Sequence, residues 1–337
     1  MSSHVKAPIV GFGVRLGVVL LLSSCVSADR VPALPAVKKD LDLADTEAIF
    51  ESISNWGRWD NELGAVNLIT SEKRRAAARL VTRGITVSMA REVIKEAVDS
   101  SKPFRHRMTV LGSPEGFASA NDEYSVDYHG FTQTHVDALC HIFYQGKMFG
   151  GHPYTEVTED GAGRFDIAAL SSGLFTRGVL MDIPRLLGKD YLDGSRAIYP
   201  EDLDAWERRA GVRVGSGDAI IIRTGRWARR AAEGAWEPME GSAGLHASCL
   251  PWLRRRDVAV VGSDLALDVM PSRVEGLVLP VHAGVIVYMG CPILDNLDLE
   301  AISDQAAELG RWEFLLTVAP LVVEGGTGSP INPLAAF

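Results

Sequence analysis

Six short runs of β-branched and aliphatic residues, bounded by Gly, Pro or Asp and separated by helix-like stretches, confine this chain to a layered α/β architecture. The runs are Ile85 to Met89, Gly178 to Ile183, Ala219 to Arg223, Val258 to Val261, Val285 to Tyr288 and Phe314 to Val323. Helical signals fall in Thr46 to Ser54, Ser71 to Leu80, Pro200 to Ala210 and Asp298 to Ala307. The third opens on Pro200 and stops before Gly211, as helix punctuation requires. Strands and helices interleave without a regular βαβ repeat, which predicts mixed β-sheets with surrounding helices and gives no Rossmann or barrel signature. With 337 residues, 47% of them hydrophobic, there is ample material for a core. No long Pro/Gly/Ser linker, charge run or repeat divides it, so residues 46–337 are expected to form a single domain.

The formal charge of −9 argues against nucleic-acid binding, because phosphates demand a basic face. Two local basic sets, Arg226, Arg229 and Arg230 and then Arg254, Arg255 and Arg256, are read as solvated helix or loop faces.

The first residues differ from the rest. Lys6 and Arg15 precede the apolar run Leu16 to Leu22, far short of the roughly 20 residues a bilayer span needs, so residues 1–28 read as a secretory signal. Leu22-Ser23-Ser24-Cys25 resembles a bacterial lipoprotein signal, and cleavage after Val26-Ser27-Ala28 is the competing site. Residues 29–45, with their Pro-rich Val31 to Pro35, form a tether. An exported protein is expected, periplasmic or lipid-anchored, touching membrane only through that anchor; an ordinary buried helix is the alternative for the run. Cys140, Cys249 and Cys291 show no CxxC zinc spacing, and Cys140 reads as a small packed residue.

Between His129 and His141 four groups able to bind a metal or move a proton crowd into thirteen residues. In an extended segment side chains alternate faces, so His129, His135, Asp137 and His141 share one parity, whereas positions two apart diverge on a helix. The spacing predicts a strand, or a strand running into a turn. A mixed imidazole and carboxylate set suits zinc, manganese or another divalent ion. Surface or hydrogen-bonded core histidines are the competing reading, which clustering disfavours.

Thr134-His135-Val136-Asp137-Ala138 followed by His141 resembles the motif of the cyclase-like metal-dependent hydrolases, which include bacterial kynurenine formamidase and isatin hydrolase. In the smaller formamidases the first His lies four residues before the second; Phe131 stands there, and His129 two residues earlier takes the role, as in a longer-spacer branch. Trp56 to Leu68, Arg177 to Asp182, Gly217 to Gly225 and Gly325 to Pro330 extend the resemblance in order along the chain. It implies a swivelling β/β/α fold, a homodimer or homotetramer, and one or two Zn or Mn ions.

Three ligands from one strand seldom complete a hydrolytic site, so a further imidazole and carboxylate are expected elsewhere. His282, in Leu279-Pro280-Val281-His282, is the best donor, and the family follows it with a carboxylate, usually Glu, at the place of Asp295. A packed His and a helix N-cap Asp are the alternatives. Asp264 and Asp268 follow an apolar strand and stand as supporting candidates, while Trp56, Trp59 and Phe131 are candidates for an apolar wall against an aromatic or cyclic amide, unless they are simply core.

The resemblance implies hydrolysis of an amide, lactam or related acyl bond. His129, His135 and Asp137 would hold a first ion, His282 and Asp295 a second, and His141 would serve as general base. No G-x-S-x-G elbow supports a serine mechanism. A metal-dependent cyclase or dehydratase, and a non-catalytic lipid-anchored metal- or ligand-binding protein, are the rival readings.

Overall fold

The computed structural model describes residues 1–2, 40–95, 103–116 and 118–337. The expected leader, with Cys25 and Ala28, and the tether up to residue 39 lie outside the described residues. Helix α1 (Leu43–Ile53), capped by the side chain of Asp42, begins inside the span expected as a tether. Among the described residues no helix is long and apolar enough to cross a membrane.

A nine-stranded mixed sheet organises the fold. In chain order its strands are β1 (Thr86–Ser88), β2 (His135–Asp137), β3 (Leu174–Asp182), β4 (Ala219–Arg223), β5 (Val260–Ser263), β6 (Ile293–Asp295), β7 (Glu313–Val318), β8 (Gly328–Pro330) and β9 (Leu334–Ala336). Across the sheet they run β1-β9-β7-β3-β4-β5-β6-β2-β8. The middle four strands, β3 to β6, are parallel neighbours, and the outer ones are antiparallel. Parallel strands need crossovers that cover them: α3 (Pro200–Ala210), between β3 and β4, packs on β3, and so does α2 (Ser71–Ala78) from ahead of the sheet in the chain. The central Ala219-Ile220-Ile221-Ile222-Arg223 is accordingly buried along its whole length rather than alternating.

Three crossovers in succession make the middle of the chain more regular than its sequence suggested. One of them was misread. Val285 to Tyr288 is not a strand but part of a helical segment that begins at Pro280–His282 and continues as a π-helix over Ala283–Met289. A short apolar run, buried except at the half-buried Tyr288, carries no period to separate the two states, and the decisive signals are Pro280 at the start and Gly290 at φ +68° at the end. Likewise the run from Phe314 stops pairing at Val318, ahead of Pro320, and Leu321, Val322 and Val323 are exposed. The helix expected over Asp298 to Ala307 runs Glu300–Leu309.

Candidate metal centre

The site forms where the carboxyl ends of the parallel strands meet the antiparallel edge, the usual place for a ligand in an open α/β sheet. Strand β2 lies between β6 and β8, with His135 opposite Asp295 and Asp137 opposite Ile293. In this three-residue strand Val136 points into the core while His135 and Asp137 share the other face. The extended segment does not reach from His129 to His141, as parity suggested. His129 arrives on the preceding bends and His141 on the turn after Ala138.

The groups nevertheless converge. Asp137 Oδ1 lies 3.0 Å from His129 Nδ1, 3.3 Å from His135 Nε2 and 3.9 Å from His141 Nε2. Asp137 Oδ2 lies 4.0 Å from His282 Nε2, which is 3.2 Å from Asp295 Oδ2. The rings of His129 and His141 stack with centroids 3.7 Å apart. These two side chains keep 23% and 25% of their surface open, against 2% for His135 and 4% for His282, so the first pair forms the mouth and the second the floor.

Three of the four imidazoles are oriented by their other nitrogen. His135 Nδ1 donates to the Gln133 carbonyl at 2.8 Å, and because a carbonyl only accepts, Nε2 is left facing Asp137. His282 Nδ1 donates to Asp268 at 2.8 Å; the same carboxylate accepts from the backbone N–H groups of Val281 and His282. Nε2 of His129 meets the Thr327 hydroxyl at 3.0 Å. Glycine at 328 permits this approach, since a Cβ there would come within 3.0 Å of the His129 ring and strike the Val136 carbonyl.

Both oxygens of Asp137, Oδ1 of Asp295 and Nδ1 of His129 are buried without an aligned hydrogen-bond partner. Such orphans cost free energy unless a cation completes them. Two sets of ligand atoms lie within 4.8 Å of one another: His129, Asp137 and His141, and His135, Asp137 and Asp295, with Asp137 common to both. Hard oxygens with imidazole nitrogens and no thiolate fit a divalent cation. The electrostatics agree. Burial opposes the imidazolium of His135, but Asp137 outweighs it and raises the pKa; burial opposes that of His282 too, and Asp295 and Asp268 lift it well above its usual value. Burial alone would raise Asp137, yet His135 and His129 hold it well below the usual carboxylate range. Asp295 is pushed up by burial, only partly offset by His282. Burial takes His141 down to about 4, against the pull of Asp137.

The remaining candidates divide. Asp268 supports His282, as above. Asp264 does not line the cleft; it accepts the backbone N–H groups of Thr224, Gly225 and Arg226, holding the start of helix α4 (Arg226–Glu233). Arg226 itself is buried, contrary to its reading as a solvated face, because its guanidinium is spent on buried acceptors. Asp295 lies in a strand, and the following helix starts at Glu300 after Leu299, so the cap reading of Asp295 fails. Phe131 sits between His129 and His135 and packs on the small cluster of Leu265, Ala266 and Met270. Trp56 stacks on Tyr288 at 5.2 Å and donates to the Val287 carbonyl, and Trp59 faces the Arg58 guanidinium; these contacts involve no member of the His/Asp group. Cys140 is packed beside the site with its thiol pushed up to about 12 by burial, unsuited to a nucleophile. Sequence reasoning passed over Gln133 and Thr327, which act through a backbone carbonyl and a hydroxyl; only adjacency to the motif and to Gly328 signalled them.

A sequence model of the Cyclase family matches residues 69–268. Among solved structures, one described as a novel cyclase is 29% identical, with a TM-score of 0.76 over 86% of this chain and 99% of that one. Isatin hydrolase A from Ralstonia solanacearum is 20% identical, with a TM-score of 0.55 over 79% of this chain and 97% of its own. An isatin hydrolase bound to the product analogue thioisatinate is 19% identical, with a TM-score of 0.53 over 79% and 98%. No curated protein matches the chain.

Proposed function

The chain belongs to the Cyclase family, and we propose that it is a metal-dependent hydrolase of an amide, lactam or related acyl bond in a small aromatic or cyclic substrate. The observation that carries this reading is the buried pair Asp137 and Asp295, whose unpartnered oxygens face four imidazoles. His129, His135, Asp137, His282 and Asp295 would hold one or two divalent ions, zinc or manganese, with Asp137 common to the two ligand-atom sets. Such an ion lowers the pKa of water toward about 7 and polarises a carbonyl oxygen.

The chain's own residues do the rest. Asp268 and the Gln133 carbonyl hold the Nδ1 protons of His282 and His135, so that their Nε2 atoms face the two carboxylates and would be free for a metal once it displaces the second proton. His141, part-exposed at the mouth and stacked on His129, is placed to take the proton of the attacking water and pass it to the leaving nitrogen. Phe131 offers the apolar surface adjoining the metal ligands, where an aromatic ring would rest. A small cyclic amide is supported by the likeness to the isatin hydrolases, one of which holds thioisatinate. Metal analysis of the purified protein, followed by turnover of N-formyl aromatic amines, isatin-like lactams and simple esters in ¹⁸O-water, tests the reading. Hydrolysis puts solvent oxygen into an acid product, whereas a cyclase or dehydratase would not.

Export belongs to the same proposal. Lipidation at Cys25 predicts that Cys25→Ser moves the mature protein into the soluble periplasmic fraction, and cleavage after Ala28 predicts no change. Uncleaved cytoplasmic protein would refute both. A homodimer or homotetramer is the assembly proposed, checked by light scattering.

A further inference from the structure

We infer that Arg226 and Asn296, neither of which touches the His/Asp group, are positioning residues that set the loop carrying His129 and His135. The inference rests on the metal-centre reading above. Arg226 and Asn296 are 3% and 0% exposed. Arg226 Nη1 donates to Asn296 Oδ1 at 2.7 Å, Nη2 donates to the Phe131 carbonyl, and the guanidinium lies 4.3 Å over the Trp227 ring. Asn296 Nδ2 in turn donates to the carbonyls of Gly130 at 2.7 Å and Gln133 at 3.1 Å. The two side chains thus bind three of the four carbonyls between residues 130 and 133.

Gln133 ties this clamp to the site, since its carbonyl also receives His135 Nδ1. One oxygen therefore fixes both the loop and the ring that presents Nε2 to Asp137. Asn296 also follows Asp295 directly, and its own carbonyl accepts the Thr134 hydroxyl at 2.7 Å. Any shift of Asn296 would move the ligands of both strands together. Asp264 fixes the origin of the clamp by holding the backbone of Arg226. An Arg fork is the group that serves two acceptors at once; a Lys ammonium has the charge without the planar geometry.

Asn296 sits at φ +55°, a conformation that glycine adopts freely, so Asn296→Gly removes the amide without straining the backbone. Arg226→Lys keeps the charge over Trp227 and loses the fork. Both variants and the wild type are to be loaded with cobalt(II) and with zinc(II), reading the cobalt d–d spectrum, zinc affinity by competition with a chelator, and melting temperature. The expected result is folded Asn296→Gly protein with an altered cobalt spectrum and zinc affinity 10- to 100-fold weaker, the range typical of groups that orient metal ligands. Arg226→Lys should fall in the same direction, and it carries the comparison if Asn296→Gly does not fold. A folded variant with the wild-type spectrum and affinity overturns the inference. Wild-type protein that binds neither ion instead overturns the metal-centre reading beneath it.

Discussion

Asp182 and Asp295 are each the last residue of a parallel strand in the same sheet, each buried, and each close to an oppositely charged or chargeable group. Their surroundings part from there. Asp182 accepts from the backbone and side chain of Arg185, from Arg223 Nη1 at 3.0 Å and from the Ser303 hydroxyl, while Arg223 is shared with Glu300. No oxygen of Asp182 is left over. Asp295 has a single imidazole against one oxygen and nothing on the other, and Asp137 across the strand pair has two orphaned oxygens. A saturated buried carboxylate is a rivet, and one left wanting is a place for a cation.

The largest effect that would break this contrast is expected at Asp137. Asp137→Asn removes the charge shared by both ligand sets, and elemental analysis should find tight metal retention and turnover abolished; full occupancy with normal rates would place Asp137 outside the centre. His141→Ala should keep its metal and lose about 10²- to 10⁴-fold in single-turnover rate. The alternative is specific: His141 stands within ligand distance of His129 and Asp137, so a variant emptied of metal makes it a ligand and passes the base role elsewhere.

Acid should come next. His135 and His282 have raised pKa values and hold their protons above the usual histidine range, so a metal must displace them. Affinity should fall with falling pH, by about tenfold per pH unit for each proton displaced, and calorimetry in two buffers of different ionisation enthalpy counts those protons. At Asp295, which shares a ligand-atom set with His135 and Asp137, Ala should lower metal content while the set of His129, Asp137 and His141 keeps its atoms, and Glu, longer by one methylene, should keep or raise it. Equal stoichiometry in all three proteins would class Asp295 with Asp182. The smallest effect belongs to the rivet: Asp182→Asn should cost about 1–3 kcal/mol in denaturant unfolding with metal content unchanged.

The His/Asp cluster was legible because its chemistry is written in residue types. Three imidazoles and a carboxylate inside thirteen positions have few structural uses, and His282 and Asp295 stand in the chain where the family resemblance led them to be sought. The architecture around them was legible where a run had boundaries, as at Pro200 to Gly211, and illegible where it did not. Val285 to Tyr288 is as apolar in a buried helix as in a buried strand, and only tertiary packing chooses. Arg226 shows the other limit. Three arginines in five residues look like a solvated face until the fold brings Asn296 and the Phe131 carbonyl to one of them. Contacts made by backbone carbonyls, such as that of Gln133, leave no trace in a side-chain pattern.

Strand β2, three residues long and paired on both sides, also governs where this chain can change length. His135 and Asp137 flank Val136, so a shift of one residue would turn both into the core and Val136 into the cleft. Insertion or deletion of a single residue within β2 should therefore cost the protein its sheet edge and its chemistry at one stroke. The hairpin of Arg105–Val110 and Asn121–Ser125 is exposed along both strands, and added length at its tip disturbs no buried pair. Length variation among relatives of this chain is then expected to accumulate upstream of Tyr128 and to halt at the stretch from His129 to His141.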